Sequence, residues 1–173
     1  MTAQAPARIV WAVARLPLAS DMDVLEIGAG TGVAASLLAQ RMTGGSLTLI
    51  DRSSVATEKA GARLAALALP VPVNVETCAI EAFAAPAGSF DLVHAINVNV
   101  FWLKAAPALA TVARVLRPRA TLHLFYEPPT RQRTYELLPL LRGRLAGSGF
   151  TIRDETVAPV GKAWCIHLCA VTN

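Results

Sequence analysis

Apolar runs alternate with amphipathic stretches along most of the chain, which has 173 residues. The apolar runs are rich in Val, Ile and Leu, and five of them predict strands at residues 24–28, 46–52, 73–80, 90–98 and 120–127. The amphipathic stretches predict helices at residues 33–42, 58–69 and 105–116. Strands that alternate with helices in this way predict a parallel sheet with helices on both faces.

The two ends of the chain extend this pattern. The first twenty residues predict an ordered helix, because Arg15 interrupts the apolar run that a cleaved presequence would need. After the fifth strand we expect a helix around residues 135–145 and two adjacent antiparallel strands at 150–157 and 163–171. The sequence therefore predicts one α/β domain over residues 1–173, with a doubly wound, mostly parallel seven-stranded sheet and an antiparallel edge strand.

Composition narrows the class of protein. Hydrophobic residues make up 54% of the chain and charged residues 16%, which excludes a disordered protein. No uncharged apolar run reaches the roughly 18 residues that span a bilayer, so we expect no membrane segment. Cys78, Cys165 and Cys169 lack the spacing of a disulfide or metal site, and they fit thiols in a reducing, cytoplasmic compartment. We therefore expect no bound metal.

The net charge of +4 comes mostly from arginine. Seven arginines cluster in the second half of the chain, at Arg114, Arg117, Arg119, Arg131, Arg133, Arg142 and Arg144. Such a cluster can bind RNA or an acidic substrate. We favour a solvated helix face and loops, because we expect no aromatic side chains to interleave with these arginines as a platform for single-stranded nucleic acid requires.

The candidate chemistry begins at the first strand, in the stretch VLEIGAGTG at residues 24–32. In an open parallel sheet, ligands bind beyond the carboxyl ends of the strands, where the strand order reverses. Glycines at positions 28, 30 and 32 let the backbone turn sharply there and approach a ligand. Asp51 ends the second strand, where a carboxylate can accept hydrogen bonds from ribose hydroxyls or, alternatively, cap the next turn.

The glycine spacing and one carboxylate distinguish between nucleoside ligands. A nicotinamide-binding loop has the pattern G-x-G-x-x-G, whereas Val33 directly follows the third glycine here. Glu26 lies two residues before the first glycine, where it would repel a pyrophosphate and attract a cationic amine. A ligand with no phosphate and a positive end is favoured, and S-adenosylmethionine fits both Glu26 and Asp51.

Four stretches in order, VLEIGAGTG, LIDRS, CAIEAFAAPAGSFDLV and RVLRPRATLHLF, resemble the successive motifs of the class I, Rossmann-like methyltransferases that use S-adenosylmethionine. The resemblance covers roughly residues 20–127. It implies a Rossmann-like domain that transfers a methyl group and leaves S-adenosylhomocysteine, and the last two predicted strands suit that family's antiparallel edge.

The resemblance also implies residue roles. Glu26 and the backbone of the glycine loop surround the methionine part of the cofactor, Asp51 binds the ribose, and Arg52 lies along the adenine. The full set of implied cofactor positions is Glu26, Gly28, Ala29, Gly30, Thr31, Gly32, Asp51, Arg52, Ala79, Ile80, Glu81 and Asn97.

Two motifs depart from the family pattern. Ala79 stands where the family often has an acidic residue for the adenine amino group, which leaves Glu81 to supply that contact, while Ile80 keeps the backbone contact. The usual Pro-Gly-Gly turn is replaced by Pro118, Arg119 and Ala120, which we expect to change a turn remote from the cofactor.

Methyl transfer from a sulfonium is an in-line displacement, so the protein mainly positions the acceptor. The resemblance implies that Asn97, at the end of the fourth strand, closes over the methionine end, which makes it a candidate catalytic residue. We expect Asn97, Asn99 or both to bond the cofactor or a nearby backbone group, with a purely structural role as the alternative. Glu127 is the candidate catalytic carboxylate, with a loop or capping role as the alternative. Phe101 and Trp102 either wall the acceptor pocket or pack a helix.

Three further residues have an expected place in the core or at the acceptor site. His94 lies inside the fourth strand and is expected to be a satisfied core histidine, while Trp11 and Arg131 are expected at the rim of the acceptor site. The favoured function is methyl transfer to a small molecule, with the acceptor site built from the first helix, the loop after the fifth strand and, in a homodimer, a second subunit. The alternatives are methylation of RNA or protein on the arginine-rich 114–144 face, and a non-catalytic cofactor-binding protein.

Overall fold

The computed structural model describes residues 5–173 as one sheet with helices on both faces. The strands are β1 (Asp23–Ile27), β2 (Ser46–Asp51), β3 (Val73–Thr77), β4 (Phe90–Ile96), β5 (Leu116–Tyr126), β6 (Phe150–Val160) and β7 (Ala163–Thr172). Their order in the sheet is β3-β2-β1-β4-β5-β7-β6. The predicted Rossmann-like, mostly parallel seven-stranded sheet is confirmed.

Within residues 5–173, six helices cover the sheet: α1 (Ala7–Arg15), α2 (Val33–Ala39), α3 (Ser54–Ala65), α4 (Val100–Leu103), α5 (Ala105–Val115) and α6 (Arg131–Ala146). The first three share a buried core with alternate residues of the strands, and the last three share a second core with the opposite face. The helix predicted within the first twenty residues is present as α1, over the narrower range Ala7–Arg15. Residues 1–4 of the predicted range lie outside the described residues.

The strand order reverses at β1, which pairs in parallel with β2 on one side and with β4 on the other. The chain leaves β1 toward β2 and β3, then returns to place β4 on the opposite side of β1. The loops that follow β1 and β4 therefore diverge and open a crevice at the carboxyl ends of these strands. The glycine loop occupies this crevice, as predicted.

The last two strands pair antiparallel at one edge, also as predicted. β7 is antiparallel to both β5 and β6, so it lies between two strands that run in the same direction. The position of β7 between β5 and β6 places it near α1. The ring of His167 on β7 lies beside that of Trp11 on α1, with 6.4 Å between the ring centroids.

Several element boundaries differ from the prediction. Helix α3 begins at Ser54, earlier than expected, because the Ser53 hydroxyl accepts a hydrogen bond from the amide of Ala56 at 3.3 Å. Helix α6 also begins earlier, because the Thr130 hydroxyl accepts from the amide of Arg133 at 3.1 Å. Hydroxyl caps of this kind fix the first turn, whereas apolar periodicity shows only the middle of a helix.

Backbone geometry ends or bends the strands elsewhere. The strand expected at 73–80 stops at Thr77 and passes into a 3-10 turn over Ile80–Ala82. Strand β4 ends at Ile96, because Asn97 adopts a left-handed conformation with φ of 58°. Strand β5 begins four residues before the expected position and carries a left-handed Arg119, with φ of 69°, inside it.

Candidate functional site

Three cavities meet around Asn97 at the carboxyl ends of the strands. The Asp51 cavity holds about 280 Å³ and is lined by Ile27, Gly28, Ile50, Asp51, Arg52, Cys78, Ile80, Glu81, Asn97, Val98 and Val100. The Glu26 cavity holds about 310 Å³ and is lined by Pro6, Arg8, Ile9, Glu26, Gly28, Ala29, Gly30, Thr31, Val33, Ala34, Ile96 and Asn97. The Trp102 cavity holds about 180 Å³ and is lined by Asn97, Asn99, Trp102, Tyr126, Glu127, Pro128, Pro129, Arg133 and Leu137.

Gly28 lines both of the first two cavities, and four amides of the glycine loop, including that of Gly30, donate within the protein. The amides of Gly28 and Ala29 donate to the carbonyl of Ile50 at 2.8 and 3.1 Å. The amide of Gly32 donates to the carbonyl of Ala29 at 3.0 Å. A phosphate cradle needs such amides directed at its ligand, so this loop does not suit a pyrophosphate.

Two of the glycines are required by close packing as well as by backbone conformation. A Cβ at Gly28, where φ is 68°, would lie 2.4 Å from a methyl carbon of Val98. A Cβ at Gly32, where φ is 71°, would lie 3.0 Å from the Cβ of Ala60 on α3. Gly28 thus lets the first strand approach the chain after β4, and Gly32 lets the loop approach α3.

Asp51 links the glycine loop to the start of α3. Its Oδ2 accepts from the amide of Gly30 at 2.8 Å, and its Oδ1 accepts from the amide of Ser53 at 2.9 Å. The side chain also lines the Asp51 cavity. The alternative that Asp51 caps the turn is therefore present. Ribose binding stays a prediction, and it is compatible with the cap because each carboxylate oxygen can accept a second hydrogen bond.

Glu26 has the opposite surroundings. Its side chain lines the Glu26 cavity, is only 3% exposed, and has an Oε2 atom with no hydrogen-bond partner among the described residues. Burial raises its pKa to about 8, and the charge of Asp51 adds to that effect, although the amide of Ala35 opposes it. A buried carboxyl oxygen without a partner is costly, so this cavity suits a ligand that donates hydrogen bonds or carries a positive charge.

Asn97 joins the ends of β4 and β5. Its amide donates to the carbonyl of Phe125 at 2.8 Å, and its side-chain Oδ1 accepts from the amide of Glu127 at 2.7 Å. Its left-handed backbone is uncommon for a residue other than glycine, and asparagine is among the side chains that tolerate it. The residue predicted to close over the methionine end is thus fixed at the junction of all three cavities.

The third motif supplies two of its three predicted residues to the Asp51 cavity. Ile80 and Glu81 line the cavity together with Arg52, whereas Ala79 does not. Cys78, which we did not predict as a site residue, also lines it. Burial raises the pKa of Cys78 to about 11, so this thiol stays uncharged at neutral pH.

The Trp102 cavity includes some of the predicted acceptor residues. Trp102 lines the cavity, while Phe101 is fully buried in the core and packs the helix. Glu127 lies at its edge and forms an ion pair with Arg8 of α1, with 3.6 Å between Nη1 and Oε1. Arg131 does not line the cavity, and Arg133 does.

Three histidines lie in the core, and their pKa values are lowered by burial. His94 has a pKa of about 3, and neither of its ring nitrogens has a hydrogen-bond partner among the described residues. The expected core position of His94 is confirmed, but the expected satisfied hydrogen bonds are absent. His123 and His167 are joined by a 3.0 Å hydrogen bond between ring nitrogens, and their pKa values fall to about 4.

The arginine cluster is largely engaged within the protein. Arg117 pairs with Asp23 and Asp91, and Arg142 pairs with Glu155. The expectation that no aromatic residues interleave with the arginines is wrong. The guanidinium of Arg131 lies 4.4 Å from the ring centroid of Trp164 and 5.8 Å from that of Tyr135. The sequence missed this contact because Trp164 belongs to a strand far along the chain.

Two features are absent from residues 5–173. No helix in this range is long and apolar enough to cross a membrane. No group of three His, Cys, Asp or Glu side chains within the same range could hold a metal ion.

Residues 24–119, more than half of the chain, match the family model of the methyltransferase domain. No curated protein matches the sequence. Three similar solved structures are a SAM-dependent methyltransferase from Aquifex aeolicus, a ribosomal-protein methylase from Lactobacillus delbrueckii subsp. bulgaricus, and the magnesium protoporphyrin IX methyltransferase from Synechocystis PCC 6803, the last with bound S-adenosylhomocysteine.

The similarity to these structures is one of fold, because sequence identity is low. The Aquifex enzyme has 20% identity and a TM-score of 0.79, over 98% of this chain and 94% of that chain. The Lactobacillus enzyme has 17% identity and a TM-score of 0.73, over 96% of this chain and 77% of that chain. The Synechocystis enzyme has 20% identity and a TM-score of 0.70, over 95% of this chain and 80% of that chain.

Proposed function

The chain belongs to the family of S-adenosylmethionine-dependent methyltransferase domains, and we propose that it transfers the methyl group to a small-molecule acceptor. The observation that carries the proposal is the buried Oε2 of Glu26, which has no partner within residues 5–173 and lies in a cavity next to the one that Asp51 lines. One carboxylate in each of two adjoining cavities matches a ligand with ribose hydroxyls in its middle and an ammonium at one end.

The lining residues support one orientation of the cofactor. The adenosine part occupies the Asp51 cavity, where Asp51 accepts from the ribose hydroxyls and Arg52, Ile80 and Glu81 surround the adenine. The methionine part occupies the Glu26 cavity, where the ammonium donates to Glu26. Gly28 and Asn97 line both cavities and so flank the sulfur between them.

The bound cofactor supplies an electrophilic methyl carbon, which forms a bond to the acceptor nucleophile as its bond to sulfur breaks. The side chains of the Trp102 cavity hold the acceptor on the far side of Asn97 and exclude water from it. An acceptor that carries a proton on its nucleophilic atom needs a base, and Glu127 at the edge of this cavity accepts that proton.

The size and composition of the Trp102 cavity favour a small acceptor. It holds about 180 Å³, and Trp102, Pro128 and Leu137 supply apolar walls. The direct test is incubation with S-adenosylmethionine labelled at the methyl group against a pool of metabolites and a pool of RNA. The proposal predicts label in a small metabolite and reduced transfer by Trp102→Ala. Label only in RNA would contradict it.

The second candidate is methylation of RNA, and the stacking of Arg131 between Tyr135 and Trp164 favours it. Aromatic rings beside a guanidinium are the groups on which single-stranded bases stack. This function predicts RNA binding that weakens steeply with salt and is reduced by Arg131→Ala. RNA affinity that is insensitive to salt would exclude this candidate.

Two further expectations depend on solution behaviour. The three cysteines, which form no disulfide, favour the cytoplasm, and cell fractionation tests this location. A homodimer would add walls to the acceptor site, and sedimentation analysis tests it; a monomer at micromolar concentration would exclude a second subunit from the site.

A further inference from the structure

Arg8 of α1 brings a positive charge into the Glu26 cavity. Among the described residues that line it, Glu26 and Arg8 carry charged side chains. A cavity with one carboxylate and one guanidinium is complementary to a zwitterion. The methionine end of S-adenosylmethionine is such a zwitterion, because it carries an ammonium and a carboxylate, and Glu26 accounts for only the ammonium.

In the structure, however, Arg8 is paired with Glu127. The two charged groups are 3.6 Å apart, beyond hydrogen-bond distance, and their side chains are 37% and 29% exposed. Ion pairs of this kind contribute little to stability because water screens them. The Arg8 guanidinium is therefore free to change partners at small cost.

The position of this ion pair connects the donor and acceptor sides of the cleft. Arg8 lines the Glu26 cavity, and Glu127 lines the Trp102 cavity. Both residues also line a narrow space between the two cavities, next to Trp11. A movement of the Arg8 side chain away from Glu127 therefore changes the charge at both cavities.

We propose that Arg8 leaves Glu127 for the carboxylate of the bound cofactor and thereby uncovers Glu127 at the acceptor cavity. This inference rests on the proposed function. A guanidinium can form two parallel hydrogen bonds with a carboxylate, which makes such a pair stronger than the 3.6 Å contact of Arg8 with Glu127. Once Arg8 has turned, Glu127 can accept a proton or a hydrogen bond from the acceptor, so cofactor binding prepares the acceptor site.

Paired ligands separate this role of Arg8 from a structural one. S-adenosylmethionine carries the carboxylate, and decarboxylated S-adenosylmethionine lacks it but keeps the ammonium and the sulfonium. Calorimetry on Arg8→Ala should show S-adenosylmethionine binding weakened roughly tenfold to a hundredfold, the value of a charge-assisted hydrogen bond. Binding of the decarboxylated ligand should change by less than about twofold, and Arg8→Lys should restore part of the loss.

The exchange makes a second prediction at Glu127. Glu127→Gln removes the competing partner of Arg8, so S-adenosylmethionine should bind about two- to fivefold more tightly, with no gain for the decarboxylated ligand. Arg15→Ala is the matched control on α1, because the Arg15 guanidinium lies over Trp11 at 4.7 Å and does not line the cavity. This control should leave both affinities unchanged.

The results distinguish the inference from the proposed function. Equal weakening of both ligands by Arg8→Ala, or no gain in affinity for S-adenosylmethionine in Glu127→Gln, would overturn the exchange of partners while the methyltransferase assignment stands. Failure of the wild-type protein to bind either ligand would overturn the proposed function and the inference with it.

Discussion

The Asp51 cavity and the Glu26 cavity each present one carboxylate, and the two carboxylates differ in their hydrogen bonds. Asp51 accepts hydrogen bonds from the backbone amides of Gly30 and Ser53. Glu26 is buried, one of its oxygens has no partner in the described part of the chain, and its pKa is raised to about 8. The comparison indicates that the protein holds Asp51 ready for its ligand, whereas Glu26 acquires its partner only when a cation enters.

The largest effect is expected at Asp51. Asp51→Ala removes the proposed acceptor for the ribose hydroxyls and leaves the amides of Gly30 and Ser53 without their partner. Calorimetry should show S-adenosylhomocysteine affinity reduced roughly 100-fold or more, since each hydrogen bond to a charged group contributes about 1.5 to 3 kcal/mol. The variant should also unfold at a lower temperature. Unchanged affinity would refute the ribose assignment, and Asp51→Asn, which keeps one acceptor oxygen, should lose less.

The next effect tests the glycine loop that divides the two cavities. Gly28→Ala places a Cβ 2.4 Å from Val98 at a φ of 68°, so unfolding free energy should fall by about 2 to 4 kcal/mol from overpacking and backbone strain. Gly30→Ala is the control, because φ there is 53° but no atom lies within 4 Å of the added Cβ. Denaturant titration should show a loss of only about 1 kcal/mol for the control. Equal losses would contradict the close approach at Gly28.

The smallest of the three effects is expected for Glu26→Gln. It is the most diagnostic, because this variant should raise the stability of the protein and lower its affinity for the cofactor. The native pKa of Glu26 lies above its ordinary value of 4.5, so the native state keeps a proton that the unfolded chain releases. Stability from this group is therefore present below pH 4.5 and is lost as pH rises toward about 8. Glu26→Gln should stabilise the free protein at pH 7 by about 1 to 3 kcal/mol.

The same variant should weaken S-adenosylhomocysteine about tenfold or more, because the ammonium loses its charged partner. Thermal unfolding with and without the ligand measures both quantities in one experiment. Asp51→Ala should lower both stability and affinity, whereas Glu26→Gln should raise the first and lower the second. If both variants shift stability in the same direction, the contrast between the two carboxylates is wrong.

The fold was predictable because its signals are local and repeated. Apolar strands and amphipathic helices identified the order of elements from β1 to β7. The rule that an open parallel sheet binds its ligand where the strand order reverses placed the glycine loop at that point. Element ends were less predictable, because they depend on single atoms such as the Thr130 hydroxyl or on one backbone torsion at Asn97. Neither feature alters the hydrophobic pattern.

The site was predictable where it lies on the strands and the loop that follows β1. Glu26 and Asp51 could be placed from the sequence, because a strand end fixes the direction of its side chain within the sheet. Arg8 and Arg133 could not, since their reach depends on how α1 and α6 pack across the sheet. The ion pair of Arg8 with Glu127 joins residues that are far apart in the sequence, and no local pattern connects them.

Proton release on cofactor binding tests the central claim most directly. At pH 7 a Glu26 carboxyl with a pKa of about 8 is mostly protonated, and it must ionise when the ammonium of S-adenosylhomocysteine lies beside it. Calorimetric titration at pH 7 in buffers of different ionisation enthalpy should show release of close to one proton per ligand bound by the wild-type protein, and none by Glu26→Gln. Binding to the wild-type protein without proton release, or equal release by both proteins, would contradict the account.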